Sequence, residues 1–324
     1  MASPYRLVRL DANRTIGRVP DAPVIIVNPT AGSGRGARLL PWIRERLALR
    51  PDADLHVTSR RGEAQDLAAH AAADGCDRLV AVGGDGTVQE VVNGILDGSA
   101  RPALGIVPVG SGNDLARSLR LPTDAAEAWM IAIGRSTREI DVALATNGQG
   151  HRRWFASAGG IGFDAQVAAA MATRRSWQTG RAGYLLTTLA ELRRFDNRQL
   201  RIVLDGEPIE RRVLFVAIAN GASYGGGMRI APAAIPDDGW LDVCIVGDIS
   251  RLTAIRELPN LYRGTHVRNP AVSVHRARQV EISGEGTTHV HLDGEPFGTL
   301  PLRVEIRAVA LQVAVVAGDP GALG

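Results

Sequence analysis

The residues of this chain best suited to chemistry are carboxylates set in glycine turns. In Arg78 to Ile95, RLVAVGGDGTVQEVVNGI, Asp85 sits inside Gly-Gly-Asp-Gly-Thr, between an apolar run and an amphipathic segment. Three glycines let the backbone turn sharply and approach a ligand, and a helix start offers free N–H groups at a positive dipole end. An acid in such an anion-seeking turn calls for an intervening Mg²⁺ or for a proton to be removed, because a bare carboxylate would repel phosphate. The turn alone equally accommodates Asp85 as a helix cap.

Two more glycine turns follow the same plan. Asn28 to Gly36, NPTAGSGRG, has neither the Rossmann spacing nor the ending of a P-loop, and reads either as an ordinary loop or as a backbone nest for phosphate with Arg35 beside it. Pro108 to Arg117, PVGSGNDLAR, is the third. Further along, Leu-Asp-Gly-Glu-Pro occurs twice, at Leu204 to Pro208 and at Leu292 to Pro296. Each copy carries Asp-Gly between strand-like flanks, which is a hairpin signal. His289 and His291 fall on one face of a strand and have no third ligand at useful spacing, so they read as a solvated or inter-strand pair.

The elements that must position these residues are legible from periodicity. The short apolar run Leu79 to Val82 reads as a strand buried on both faces, with Pro23 to Val27, Ala53 to Ser59 and Ala103 to Val107 as further strands. Helical spacing follows each, as in Val88, Val91, Val92, Ile95 and Leu96, and Asp124 with Glu127 forms a capping box. Successive β-α units predict an open parallel sheet, which gathers ligands outside the carboxyl ends of its strands. From about Glu139 strands dominate, including Arg211 to Asn220, Leu241 to Val246 and Val272 to Ser283. Helices are expected at Phe163 to Met171, Ser250 to Tyr262 and Ala182 to Phe195, the last amphipathic with Arg at its end, its apolar side facing the core in preference to a membrane. The expected organisation is an arm at 1–20, a doubly wound α/β domain at 21–138, a β-rich sandwich-like domain at 139–300, and strands at 301–324 returning to the first domain.

Composition narrows the function classes. A chain of 324 residues with 45% hydrophobic content can bury a large core, and no apolar run approaches the roughly 18 residues of a membrane span. The first residues lack a signal-peptide core, so a cytoplasmic location with peripheral membrane contact is expected. Cys76 and Cys244 lack metal-ligand spacing and read as buried fillers. A net charge of +3 with 4% aromatic residues gives no footprint for nucleic acid. All 37 basic residues counted as Lys or Arg are Arg, which excludes a Walker loop and a protein-kinase strand lysine. Phosphates must then be held by backbone N–H groups, hydroxyls, Arg or metal.

In this order NPTAGSGRG, GGDGTVQEV, PVGSGNDLAR and the late LDGEP, with GGIGFDAQV and NGASYGGGM between them, resemble the diacylglycerol kinase catalytic family, especially its bacterial soluble lipid kinases. Sphingosine and ceramide kinases share that domain, and NAD kinases are distant relatives. The resemblance spans nearly the whole chain. It implies ATP bound between the two domains, touched by Asn28, Pro29, Thr30, Ala31 and Gly32, by Thr58, by Gly84, Asp85, Gly86 and Thr87 with Glu90, and by Ser111. Ser111 stands where the family often has Thr, and the hydroxyl is retained. Asp85, Asp141 and Glu295 would form a carboxylate set for Mg²⁺, with Asp293 or Glu295, and Glu295 by preference, as base for the acceptor hydroxyl. Asp238 with the carbonyls of Ile235 and Trp240 would hold a structural Mg²⁺, although Pro236 falls inside that loop.

The expected activity is phosphorylation of diacylglycerol to phosphatidic acid. A sphingoid base, a polar acceptor such as NAD, and a catalytically silent nucleotide-binding module are the alternatives. The Asn-Glu pair that NAD kinases place after the glycine turn is absent. The expected partners are ATP and a lipid met at a membrane surface, with room for a homodimer and none expected with nucleic acid.

Overall fold

Apolar runs flanked by glycine turns build the first half of the chain. The structure is a computed structural model that describes residues 22–172, 187–188, 190–192, 195–284 and 286–318. Strands and helices alternate through β1 (Val24–Val27), α1 (Ala31–Leu47), β2 (Asp54–Val57), α2 (Glu63–Ala73), β3 (Arg78–Gly83), α3 (Asp85–Asp97) and β4 (Ala103–Pro108). Short helices α4 (Asp114–Ser118) and α5 (Ala125–Ala132) follow, and Asp124 caps α5 by accepting the N–H groups of Ala126 and Glu127. The strands pair in parallel in the order β2-β1-β3-β4. Every residue of β1 and β4 is buried, as strands covered by helices on both faces require. The order reverses between β1 and β3, so the crevice of this sheet opens over the turns that follow those two strands.

The second half is antiparallel. It comprises β5 (Thr137–Asn147), β6 (Arg152–Phe155), β7 (Ala158–Gly162), α6 (Phe163–Ala172), β8 (Arg198–Leu204), β9 (Glu207–Ala219), β10 (Leu241–Gly247) and α7 (Arg251–Arg263). Then come β11 (Val272–Ala277), β12 (Gln279–Gly284), β13 (His289–Leu292), β14 (Glu295–Thr299) and β15 (Leu302–Ala314). Strand β15 pairs with β12 and along its length with β5, and meets β4 in parallel at Val313 opposite Leu104. Hydrogen bonding therefore runs unbroken from one half to the other.

Two local expectations change. The strand expected over Val272 to Ser283 is two strands, because Asp205 accepts the N–H groups of Arg278 and Gln279 there and the chain changes partner from β10 to β15 and β8. The pairing of β13 with β14 shifts register between Val290 and His291, so the two histidines part company: His289 is exposed and His291 is buried. Of the helix expected over Ala182 to Phe195, the described residues 187–188 and 190–192 are helical, with Thr187, Thr188 and Leu192 buried. The rest of that helix apart from Phe195, the expected arm at 1–20 and residues 319–324 of the last segment lie outside the described residues.

Candidate active site

Each glycine turn emerges at the carboxyl end of a parallel strand, and side chains lock the turns together. Asn28, after β1, accepts the N–H and hydroxyl of Thr30 (3.0 and 2.8 Å) and donates to the hydroxyl of Thr87 (3.0 Å) at the start of α3. Residues Gly32, Ser33 and Gly34 are left-handed (φ 59, 57 and 84°), so regular helix in α1 begins only after them. The carbonyl of Pro29 accepts the N–H of Ala37 (3.0 Å), which folds that turn back on its helix. Arg35 donates to the carbonyl of Gly110 (2.7 Å), tying the first turn to the third. Gly84 and Gly110 touch backbone to backbone: a Cβ on Gly110 would lie 2.6 Å from the Cα of Gly84. Only glycine permits that approach.

Asp85 opens α3 and accepts the N–H groups of Asn113 (2.8 Å) and Asp114 (2.6 Å) across the third turn. Asp114 in turn accepts those of Gly225 (2.7 Å) and Gly226 (3.1 Å) from the second half of the chain. Asp293, in the hairpin between β13 and β14, accepts three N–H groups from Ala156, Ser157 and Ala158, each at 3.0 Å. These acids, with Glu295 and Asp164, line one cleft of about 420 Å³ that also takes in Gly32, Ser111 and Gly86. An adjoining cleft of about 350 Å³ is lined by Asn28, Thr30, Ala31, Thr58, Thr87 and Glu90, and shares Gly84, Gly86 and Glu295 with the first. The expected nucleotide residues other than Pro29 thus line two joined clefts. Glu90 is already engaged there, capping α2 by accepting the N–H groups of Gly62 and Ala64.

Burial dominates the electrostatics. It raises the carboxyl of Asp85 above its ordinary range, and raises Asp114 to about 7 with the charge of Asp85 adding to the effect. Asp293 is pushed up to about 6, again by burial first, against the three N–H groups it accepts. A set of acids short of positive charge is a donor set for a hard cation. Among the described residues no three His, Cys, Asp or Glu side chains converge as a preformed metal cage. The set therefore fits a hydrated Mg²⁺, which takes one or two carboxylates and completes its shell with water and phosphate.

Asp141 does not join that cleft. Its carboxylate accepts the N–H groups of Gly239 (2.6 Å) and Val309 (2.8 Å), and its own N–H donates to the carbonyl of Pro236 (2.7 Å). Val309 has φ 52°, costly for a β-branched residue, where the pairing of β15 with β5 is interrupted. Asp141 thus holds a strained bulge and the 235–240 loop at the crossover between the halves. In that loop Asp238 accepts the N–H of Trp240 (3.0 Å) and forms an ion pair with Arg276, while Arg138 pairs with Asp237 (2.7 Å). The guanidiniums of Arg276 and Arg278 lie 5.3 and 4.5 Å from the ring centroid of Trp240. A metal cation beside Ile235, Asp238 and Trp240 would have to displace the Arg276 guanidinium from Asp238. Arg276→Ala should lower stability by roughly 1 kcal/mol. It should also make the melting temperature rise more on adding Mg²⁺ than it does in the unaltered protein, as thermal unfolding would read.

Sequence reasoning passed over several residues that the fold brings to the cleft. Asp114 and Asp164 stood inside quoted motifs without being singled out. His291 is buried with Asp164 Oδ2 at 2.7 Å from its Nε2, while its Nδ1 accepts the N–H of Gly294 (3.3 Å). That second contact places the ring proton on Nε2, donated to Asp164. His291 therefore braces the turn carrying Asp293 and Glu295, and Tyr224 stacks on it with ring centroids 5.9 Å apart. A Cβ on Gly160 would collide with both His291 and Asp164, at 2.2 and 2.1 Å, so the GGIG strand makes room for the pair. Arg61, on the loop before α2, forms an ion pair with Glu295 across the cleft.

Both halves of the chain match known families. Residues 22–145 match the diacylglycerol kinase catalytic domain, and residues 157–315 match the YegS C-terminal NAD kinase beta sandwich-like domain. The chain is 35% identical over 291 residues to a diacylglycerol kinase of Mycobacterium tuberculosis, covering 89% of this chain and 93% of that one. It is 29% identical over 279 residues to a diacylglycerol kinase of Bacillus subtilis, covering 86% and 90%. A crystal structure of a diacylglycerol kinase from Bacillus anthracis superposes with a TM-score of 0.71 at 26% identity, covering 92% of this chain and 97% of that one. The chain belongs to the diacylglycerol kinase family.

Proposed function

We propose that this protein transfers the γ-phosphate of ATP to the hydroxyl of diacylglycerol, giving phosphatidic acid, with Mg²⁺ at the carboxylates of the cleft. The observation that carries this reading is the meeting of three glycine turns and the Asp293–Glu295 hairpin on joined clefts. The turns offer backbone N–H groups and the hydroxyls of Thr30 and Ser111 to a triphosphate, in a chain that has no lysine to do so. One or two of Asp85, Asp114 and Asp293 would hold Mg²⁺, whose charge would offset the repulsion between these acids and the phosphates.

Phosphoryl transfer asks the protein for alignment, charge compensation and a proton acceptor. Both carboxylate oxygens of Asp293 are engaged by backbone N–H groups, whereas the side chain of Glu295 is 29% exposed at the cleft. Glu295 is therefore the base. Its carboxylate takes the proton of the acceptor hydroxyl as that oxygen bonds to the γ-phosphorus and ADP leaves. Arg61, with its side chain 72% exposed, lines the same cleft as the nucleotide residues. Transfer of its guanidinium to the triphosphate frees Glu295 for that role.

Labelled ATP offered with diacylglycerol, sphingosine, ceramide and NAD tests the reading. Transfer to diacylglycerol is expected, with Asp85→Asn slowing it by about 10²-fold or more. Label on NAD alone, or on none of the four, would refute it.

A further inference from the structure

No described helix is long and apolar enough to cross a membrane, so a kinase for a bilayer lipid must meet that lipid from outside. Helix α7 is built for such a meeting. At about 100° per residue, Arg251, Tyr262, Ile255, Pro259, Leu252, Arg263 and Arg256 follow one another in that order across an arc of about 140°. All but the half-buried Tyr262 are exposed, Leu252 at 57% and Ile255 at 41%. The arc thus has an apolar centre with Arg263 and Arg256 along one flank and Arg251, paired with Asp196, at the other, and none of its own residues is acidic. The one acid of the helix, Glu257, is turned away and accepts from Asn260 (2.9 Å) and Asn269 (3.0 Å).

The outer apolar residues are not a misplaced core face. The opposite side of α7 already presents Ala254, Leu258 and Leu261 to an apolar cavity shared with Phe163 and Phe215. Ser250 caps the helix by accepting the N–H of Thr253 (3.1 Å), and Arg251 donates to the carbonyl of Phe195 (3.1 Å) and to Asp196 (3.0 Å). The helix is therefore pinned at its first turn with its inner face satisfied. An ordinary surface helix would mix both charge signs on its outer face. Apolar residues flanked by cations form the face that lies in a membrane interface, where the apolar side chains enter the acyl boundary and the guanidiniums reach anionic headgroups.

We infer that the outer face of α7, centred on Leu252 and Ile255 and flanked by Arg256 and Arg263, is the surface by which this protein docks on anionic bilayers. This rests on the lipid acceptor proposed above, and it names the face that brings the protein to it. Vesicles of phosphatidylcholine alone, or with phosphatidylglycerol, are sedimented with the unaltered protein, with Leu252→Asp/Ile255→Asp and with Arg256→Glu/Arg263→Glu. Binding should need the anionic lipid and weaken at high salt, and each double variant should lose about tenfold or more in vesicle affinity. Both variants should keep the unaltered melting temperature and the unaltered rate on a short-chain, water-soluble diacylglycerol. Equal sedimentation with neutral and anionic vesicles, or double variants that sediment like the unaltered protein, would overturn the inference. Sedimentation is read without turnover, so failure of the kinase reading shows separately, as absence of transfer to the soluble acceptor while vesicle binding persists.

Discussion

Glu295→Ala is expected to lower kcat by about two to four orders of magnitude, while Glu207→Ala stays within about twofold of the unaltered enzyme. The comparison is sharp because the two sites share a sequence and a turn. Asp205 and Asp293 are both left-handed (φ 48 and 47°), and the glycines after them have φ of 95 and 81°. Both aspartates do the same work: Asp205 accepts the N–H groups of Arg278 and Gln279, and Asp293 accepts those of Ala156 to Ala158. What differs is the neighbourhood of the glutamate. Glu207 begins β9 on an exposed hairpin, whereas a Cβ on Gly86 would stand 3.1 Å from Glu295 Oε1, beside the second glycine turn. Loss of a proton acceptor should fall on kcat with little change in KM for ATP, and steady-state kinetics of both variants reads that split. Equal losses at the two positions would remove Glu295 from the chemistry.

These two hairpins also mark how much a sequence can say. The glycine turns were legible because they follow apolar strands and open helices, and parallel topology leaves them one edge at which to meet. The hairpin geometry of LDGEP was legible too, since Asp-Gly demands left-handed backbone wherever it falls. Which copy faces the cleft was not local information; family order alone pointed to the second. Asp85 lies between glycines and Asp141 between apolar residues, and neither setting shows in sequence which of them faces the cleft. A valine forced to positive φ 168 residues further on draws Asp141 to the crossover instead of the cleft. His291 failed for a similar reason, because a register shift within β13 undid the alternation that put it beside His289. Arg276 reaches Asp238 only because β11 pairs with β10. Periodicity carries elements; the partners of charged side chains depend on strand pairings set by distant residues.

The second large effect concerns Asp114 and the dependence of stability on pH. Burial holds its carboxyl at about 7 against an ordinary value of 3.8, so between those limits the folded protein binds a proton that the unfolded chain has released. Stability from this group is then fully present below about pH 4 and is lost as pH rises through about 7, the reverse of a salt-bridged carboxylate. Asp114 and Asp85 lose this stability together, and Asp293, also raised by burial, adds in the same direction. Without nucleotide or divalent metal the protein should therefore melt at a lower temperature at pH 8 than at pH 5.5. Asp114→Asn should flatten that slope, even though it also weakens the hold on Gly225 and Gly226. Denaturant unfolding across this range, read for both proteins, gives the slope directly. An unaltered protein that gains stability toward pH 8, or an Asn variant with the full slope, would show that the cluster is already compensated without a ligand. A slope that Mg²⁺ and nucleotide together abolish would mean that repulsion among these acids, unfavourable to the empty fold, is relieved on binding the ligands that the cleft serves.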